Sequence, residues 1–247
     1  MSLIALGFLV SLLAGLLTGL GAIPLFFSKG TSERILDGML GFAAGVMLSV
    51  TAFGLLMPAV ETGGIWVTVA GFTIGAIFVA LLDRVAPHMH LISGTRNLST
   101  PLGGAWLIML AVAIHNFPEG LAVGIGFGTG DIGSAIALAI AIGLHNIPEG
   151  LAVALPLVNE GCTPKRALWY ALLTGLVQPI GGLIGVSSVI IAHPILPYGL
   201  AFAAGAMLYV VFDELMPQSY RRGHEKEATF GGLAGFALMM ILERILG

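Results

Sequence analysis

The strongest constraint on this chain is that almost all of it lies in long apolar runs. A hydrocarbon layer about 30 Å thick needs about 20 consecutive apolar residues for each helical crossing. The sequence supplies such runs at roughly 3–27, 35–58, 64–86, 102–127, 132–156, 166–192, 197–217 and 228–246. The segments between them are too short for a soluble domain. Residues 1–247 therefore read as a single transmembrane domain, an all-α integral membrane protein with eight transmembrane helices. Charged residues make up only 9%, against about 25% in soluble domains. The net charge of −3 gives no reason to expect nucleic acid as a partner. No basic residue precedes Lys29, so the first run lacks the charged start of a secretory signal and reads as a retained helix. Cys162 stands alone in a short connection, which excludes an internal disulfide.

The basic residues orient the spans. Lys29, Arg34, Arg84, Arg96, Lys165, Arg166, Arg221, Arg222 and Lys226 flank the connections after spans 1, 3, 5 and 7, leaving only Arg244 for the other side. The positive-inside rule then puts those connections in the cytoplasm and both termini outside it, as expected of a multi-pass protein of the cell (inner) membrane. Glycine recurs at small-xxx-small spacing, as in Gly41/Gly45, Gly71/Gly75, Gly120/Gly124 and Gly231/Gly235, which lets helix backbones approach closely. FAAGVMLSVTAFGLLMP in span 2 resembles FAAGAMLYVVFDELMP in span 7, with one residue of slippage. These spans cross in opposite senses, so the likeness predicts an inverted 3+2+3 repeat: spans 1–3, a central pair, and spans 6–8.

That central pair carries a cassette twice, AVAIHNFPEGLAVG and AIGLHNIPEGLAVA. His115 and Glu119 are i and i+4, as are His145 and Glu149, so each pair shares one helix face. Pro118 cannot bond the carbonyl of Ile114, nor Pro148 that of Leu144. A carbonyl freed within lipid is tolerated only where protein, water or an ion satisfies it. Ionisable groups at this depth cost roughly 2.5 to 3.5 kcal/mol each when unpaired. Imidazoles, carboxylates and the Asn116 and Asn146 amides, doubled in register, point to a divalent transition-metal site between spans 4 and 5.

Other polar residues are more open. Asp213 and Glu214, ahead of Pro217, are either an interfacial acidic pair or part of a cation's exit path. Gln178, followed by Pro179, places an amide at bilayer depth in a disrupted helix and can face the centre. Asp83, His88 and His90 form a metal relay or a polar loop. Met47 reads from the sequence as core.

With these residues in hand, the chain resembles the ZIP (Zrt/Irt-like) divalent metal transporters, especially the bacterial zinc-uptake members. The likeness rests on HNFPEG and HNIPEG, FAAGVML, DRVAPHMH, the GLVQPIGG run, and FAAGAML with DELMP, and covers nearly the whole chain. It implies a metal site of His115, Asn116, Glu119, His145, Asn146, Glu149, Gln178 and Met47. It further implies a release route past Glu214, with Asp83, His88 and His90 at its cytoplasmic mouth, alternating access between two bundles, and a homodimer. Many relatives of this kind carry a glutamate where Gln178 stands, and that carboxylate helps hold a second metal.

The ligand types suit zinc first, with Fe2+, Mn2+, Co2+ and Cd2+ as further passengers, and the lack of thiolate argues against copper(I). The metal is cargo, and no cofactor is expected. Two rivals stand beside transport by a carrier. One is an intramembrane metal-dependent enzyme, although H-x-x-x-E differs from the H-E-x-x-H of zinc proteases. The other is a metal-selective channel.

Overall fold

The computed structural model describes residues 1–27, 32–85 and 101–246, and among these there is no β-strand. The first half comprises α1 (Leu3–Leu20), a short 3-10 turn (Ile23–Phe26), α2 (Glu33–Ser49), a π-helical segment (Val50–Leu56) and α3 (Met57–Val85). The long α4 (Pro101–Gly128) and α5 (Ile132–Asn159) follow. The remainder is α6 (Pro164–Gly175), α7 (Gln178–Ile191), a 3-10 turn (His193–Ile195), α8 (Leu196–Val210), a second π-helical segment (Val211–Leu215), α9 (Met216–Tyr220) and α10 (Glu225–Leu246).

Helix starts follow local chemistry. The Ala5 N–H donates to Ser2 Oγ, the Ser134 N–H to Asp131 Oδ1 and the Arg166 N–H to Thr163 Oγ1, so α1, α5 and α6 each begin on a side-chain cap. Pro164 opens α6, where its missing N–H leaves no bond unmade.

Among the described residues, seven apolar helical stretches are long enough to cross a membrane, and the second, Glu33–Arg84, has 52 residues. Laid straight it would measure about 78 Å, more than twice the hydrocarbon thickness. Within it Gly64 adopts φ 74 and ψ 167, a conformation that side chains with a Cβ rarely take, and the helix breaks there.

Three of the expected continuous helices are modified, each next to a proline. The run at 166–192 is interrupted at Leu176 and Val177, because Pro179 has no N–H to bond the carbonyl of Gly175. The runs containing FAAG each turn π-helical just before Met57–Pro58 and Met216–Pro217. Such wide turns recur at functional sites.

The helices pack as two groups. In one, α1 lies against α4, α5, α6 and α7, with α4 closely paired to α7. In the other, α2 pairs with α10 and α3 with α8. The groups meet where α5 touches α2 and α4 touches α8. The close pairings use the small-residue spacing: a Cβ added at Gly41 would strike the backbone of Ala228, and one at Gly45 that of Gly232. Burial identifies the centre, since 72% of the apolar windows of Met109–Gly128 and Ile132–Asn159 is buried, against 11% for α10. The outer surface is apolar: Trp66, Ile74 and Ile77 on α3 and Phe230, Leu233 and Ile245 on α10 are exposed. A contiguous surface of this kind is what lipid covers.

Candidate metal centre

The two cassettes meet at the α4–α5 contact. His145 Nε2 of the second lies 3.1 Å from Glu119 Oε1 of the first, and both side chains are 1% exposed. Glu119, His145 and Glu149 each offer a ligand atom within 4.8 Å of the others, all three buried. Two carboxylates and an imidazole match the N/O donors that zinc and related first-row ions take. Their two negative charges would balance one divalent cation.

The remaining cassette residues divide by environment. His115 turns toward the other group of helices, with Nδ1 2.9 Å from Glu214 Oε2. The Asn116 amide donates to the Val112 carbonyl at 3.0 Å within its own helix, whereas the Asn146 amide donates to the Ala14 carbonyl of α1 at 2.8 Å. Gln178, fully buried at the start of α7, presents its NH2 group: Nε2 donates to Asn116 Oδ1 at 3.0 Å and to Glu119 Oε2 at 2.5 Å. A carboxylate only accepts, so the nitrogen is the end that faces Glu119.

A small cavity of about 20 Å³ adjoins this cluster, lined by His115, His145, Glu149, Glu214 and Gln218 among others. That is room for about one water or a bare cation. Met47 is buried in α2, one turn beyond Ala43, whose backbone lies against His145. Glu214 is half-buried in the second π segment while its neighbour Asp213 is exposed. Asp83, near the end of α3, accepts from the Tyr209 hydroxyl at 3.4 Å. His88 and His90 lie outside the described residues.

One residue of the site has no place in the sequence expectations. Gln218, whose Nε2 donates to Glu214 Oε1 at 2.9 Å, lines the cavity. Its signal was available, because Glu214 and Gln218 stand four apart, one helical turn. Gly120 packs as its small-residue spacing predicts, and Gly150 does the same in the second cassette. A Cβ at Gly120 would lie 2.0 Å from the backbone oxygen of Gln178, and one at Gly150 1.7 Å from that of Thr18. Each glycine lets its helix sit directly on the backbone of a neighbour.

A family model described as ZIP Zinc transporter matches residues 92–243. Among curated proteins, zinc transporter GufA of Myxococcus xanthus is 40% identical over 98% of this chain and 99% of its own length. Zinc transporter ZIPB of Bordetella bronchiseptica is 40% identical over 93% of this chain and 78% of its own. Zinc transporter ZIP11 of Homo sapiens is 36% identical over 94% of each. These relatives are named as transporters and not as enzymes, and the agreement extends over far more than the cassettes: the chain belongs to the ZIP family of zinc transporters.

Proposed function

We propose that this chain carries divalent transition-metal ions, zinc first and Fe2+, Mn2+, Co2+ and Cd2+ as further passengers, into the cytoplasm through the site between α4 and α5. The observation that carries this reading is the buried Glu119, His145 and Glu149 cluster beside a cavity that continues to His115 and Glu214. Charges at this depth are expensive unless something opposite in sign visits them. Around that cluster the ligand set comprises His115, Asn116, Glu119, His145, Asn146, Glu149, Gln178 and Met47. The way out runs past Glu214, Asp213 and Asp83 to His88 and His90.

Transport proceeds by alternating access of the two helix groups. The His115 to Glu214 pair joins one group to the other, and such a contact can form in one state and break in the other. The fold crosses the membrane eight times, the Glu33–Arg84 stretch crossing twice about Gly64, with both termini outside the cytoplasm of a cell (inner) membrane. The protein works as a homodimer.

The test is zinc uptake by proteoliposomes loaded with a zinc-sensitive dye. The unmodified protein should fill the lumen with zinc. Glu119→Ala together with Glu149→Ala should abolish uptake with insertion unchanged, since the two changes remove both charges that compensate a dication. Normal uptake by the well-inserted double variant would overturn the site.

A further inference from the structure

We propose that Gln218 is a positioning residue of the transport route: it fixes the carboxylate of Glu214 so that its other oxygen is presented to His115. The inference rests on the reading of His115 and Glu214 as part of that route. Glu214 divides its two oxygens, Oε1 accepting from Gln218 Nε2 at 2.9 Å and Oε2 lying 2.9 Å from His115 Nδ1. Gln218 is 9% exposed and lines the same cavity as His115, His145 and Glu149.

Gln218 is itself anchored from behind. Its backbone carbonyl accepts from Arg222 Nη1 at 3.3 Å, and the same nitrogen holds Asp37 Oδ1 at 2.6 Å. Asp37, fully buried in α2, uses its second oxygen on His224 Nδ1 at 3.0 Å. The segment from 218 to 224 is thus fastened to α2, and the Gln218 side chain reaches forward from a fixed base.

The physical effect is orientational. A glutamate has three rotatable bonds, and a hydrogen bond from a neutral donor to a carboxylate is stronger than a neutral pair, so it can select one rotamer. An ion moving from the Glu119, His145 and Glu149 cluster toward Glu214 then meets its next ligand already placed. Because Gln218 lies beyond that cluster, its loss slows transfer without weakening capture.

The experiment is initial-rate zinc uptake in proteoliposomes across a range of zinc concentrations. Gln218→Met keeps the volume and removes the donor; the maximal rate should fall about tenfold and the half-saturating zinc concentration should stay within about twofold. Gln218→His, which retains an N–H, should recover most of the rate. Gln218→Glu, close in shape and without a donor when ionised, should lose as much as Gln218→Met and serves if the latter fails to insert. In a Glu214→Ala background, adding Gln218→Met should change nothing further, because the residue acts through Glu214. An unchanged rate in Gln218→Met, or a full additional loss on top of Glu214→Ala, overturns the proposal. The Glu119→Ala, Glu149→Ala double variant, run in parallel, separates this from failure of the transport reading: if that variant also transports normally, the error lies in the central site.

Discussion

Replacing Gln178 by glutamate should raise the number of ions bound at the proposed centre from one to two. Among the described residues, the carboxylates of the central cluster are Glu119 and Glu149, and Gln178 offers Glu119 and Asn116 the hydrogens of a neutral amide. At about 4 Å and an effective dielectric of about 20, one pair of unit charges is worth about 4 kcal/mol. A second dication would gain about 8 kcal/mol from each carboxylate and lose about 16 kcal/mol to the first ion, so the terms cancel. Nothing is left to offset the several kcal/mol of dehydrating the ion. Gln178→Glu adds about 8 kcal/mol of attraction and also removes the NH2 group that now occupies Asn116 Oδ1 and Glu119 Oε2. The assay is zinc per chain by elemental analysis of purified protein, with anomalous scattering to place the ions. One ion is expected in the unmodified protein and two in the variant. Two adjacent, fully occupied central ions in the unmodified protein would refute the charge argument.

Two further outcomes test the surrounding structure. Gly120→Ala would set a carbon 2.0 Å from the Gln178 backbone oxygen, where ordinary contact begins near 3.4 Å. The α4–α7 pair must then part by about 1 Å, a displacement that can lower rates about a hundredfold; uptake at the normal rate by the inserted variant would show that this contact does not set the site. The orientation has a built-in probe in Cys162, partly exposed in the turn between α5 and α6. It should be shielded from an impermeant thiol reagent on whole cells and react after permeabilisation, while Thr129→Cys in a Cys162→Ser background should react at once. The reverse pattern would invert the topology.

The parts of this molecule that were legible in the sequence are those governed by short-range periodicity. Apolar length gave the helices, and four-residue spacing put His145 and Glu149 on one face. Identical cassettes, however, acquire different partners: His115 faces Glu214 while His145 faces Glu119. No local rule separates them, because the difference lies in which helix packs opposite each. The same holds for Asp37, whose partners Arg222 and His224 are far along the chain and lie just ahead of α10, which pairs with α2. Asp213 and Glu214 are neighbours in the sequence, yet adjacent helical residues point about 100° apart. One is exposed and the other faces the cavity. The π segments were hinted at only by the prolines that follow them.

The inverted repeat expected from the sequence would relate contacts that the sequence likeness did not use. If α2 corresponds to α8 and α3 to α10, exchanging the halves turns the α2–α10 pairing into the α8–α3 pairing, and both are among the closest in the molecule. The correspondence reaches single residues. A Cβ at Gly45 would strike the carbonyl oxygen of Gly232, and one at Gly205 that of Phe72; one at Gly75 would strike that of Phe202, and one at Gly235 that of Phe42. Gly45 and Gly205, Phe72 and Gly232, Gly75 and Gly235, and Phe42 and Phe202 all stand at one constant offset along the chain, as do LLDRV ending α3 and ILERI near the end of α10. The single residue of slippage between the FAAG runs falls inside the π segments, seven residues long in one half and five in the other. The offset returns to its earlier value before Phe72 and Gly232, because the second half has one residue more between its Met–Pro pair and the helix that follows. The second half alone carries Glu214 into the cavity beside the shared centre.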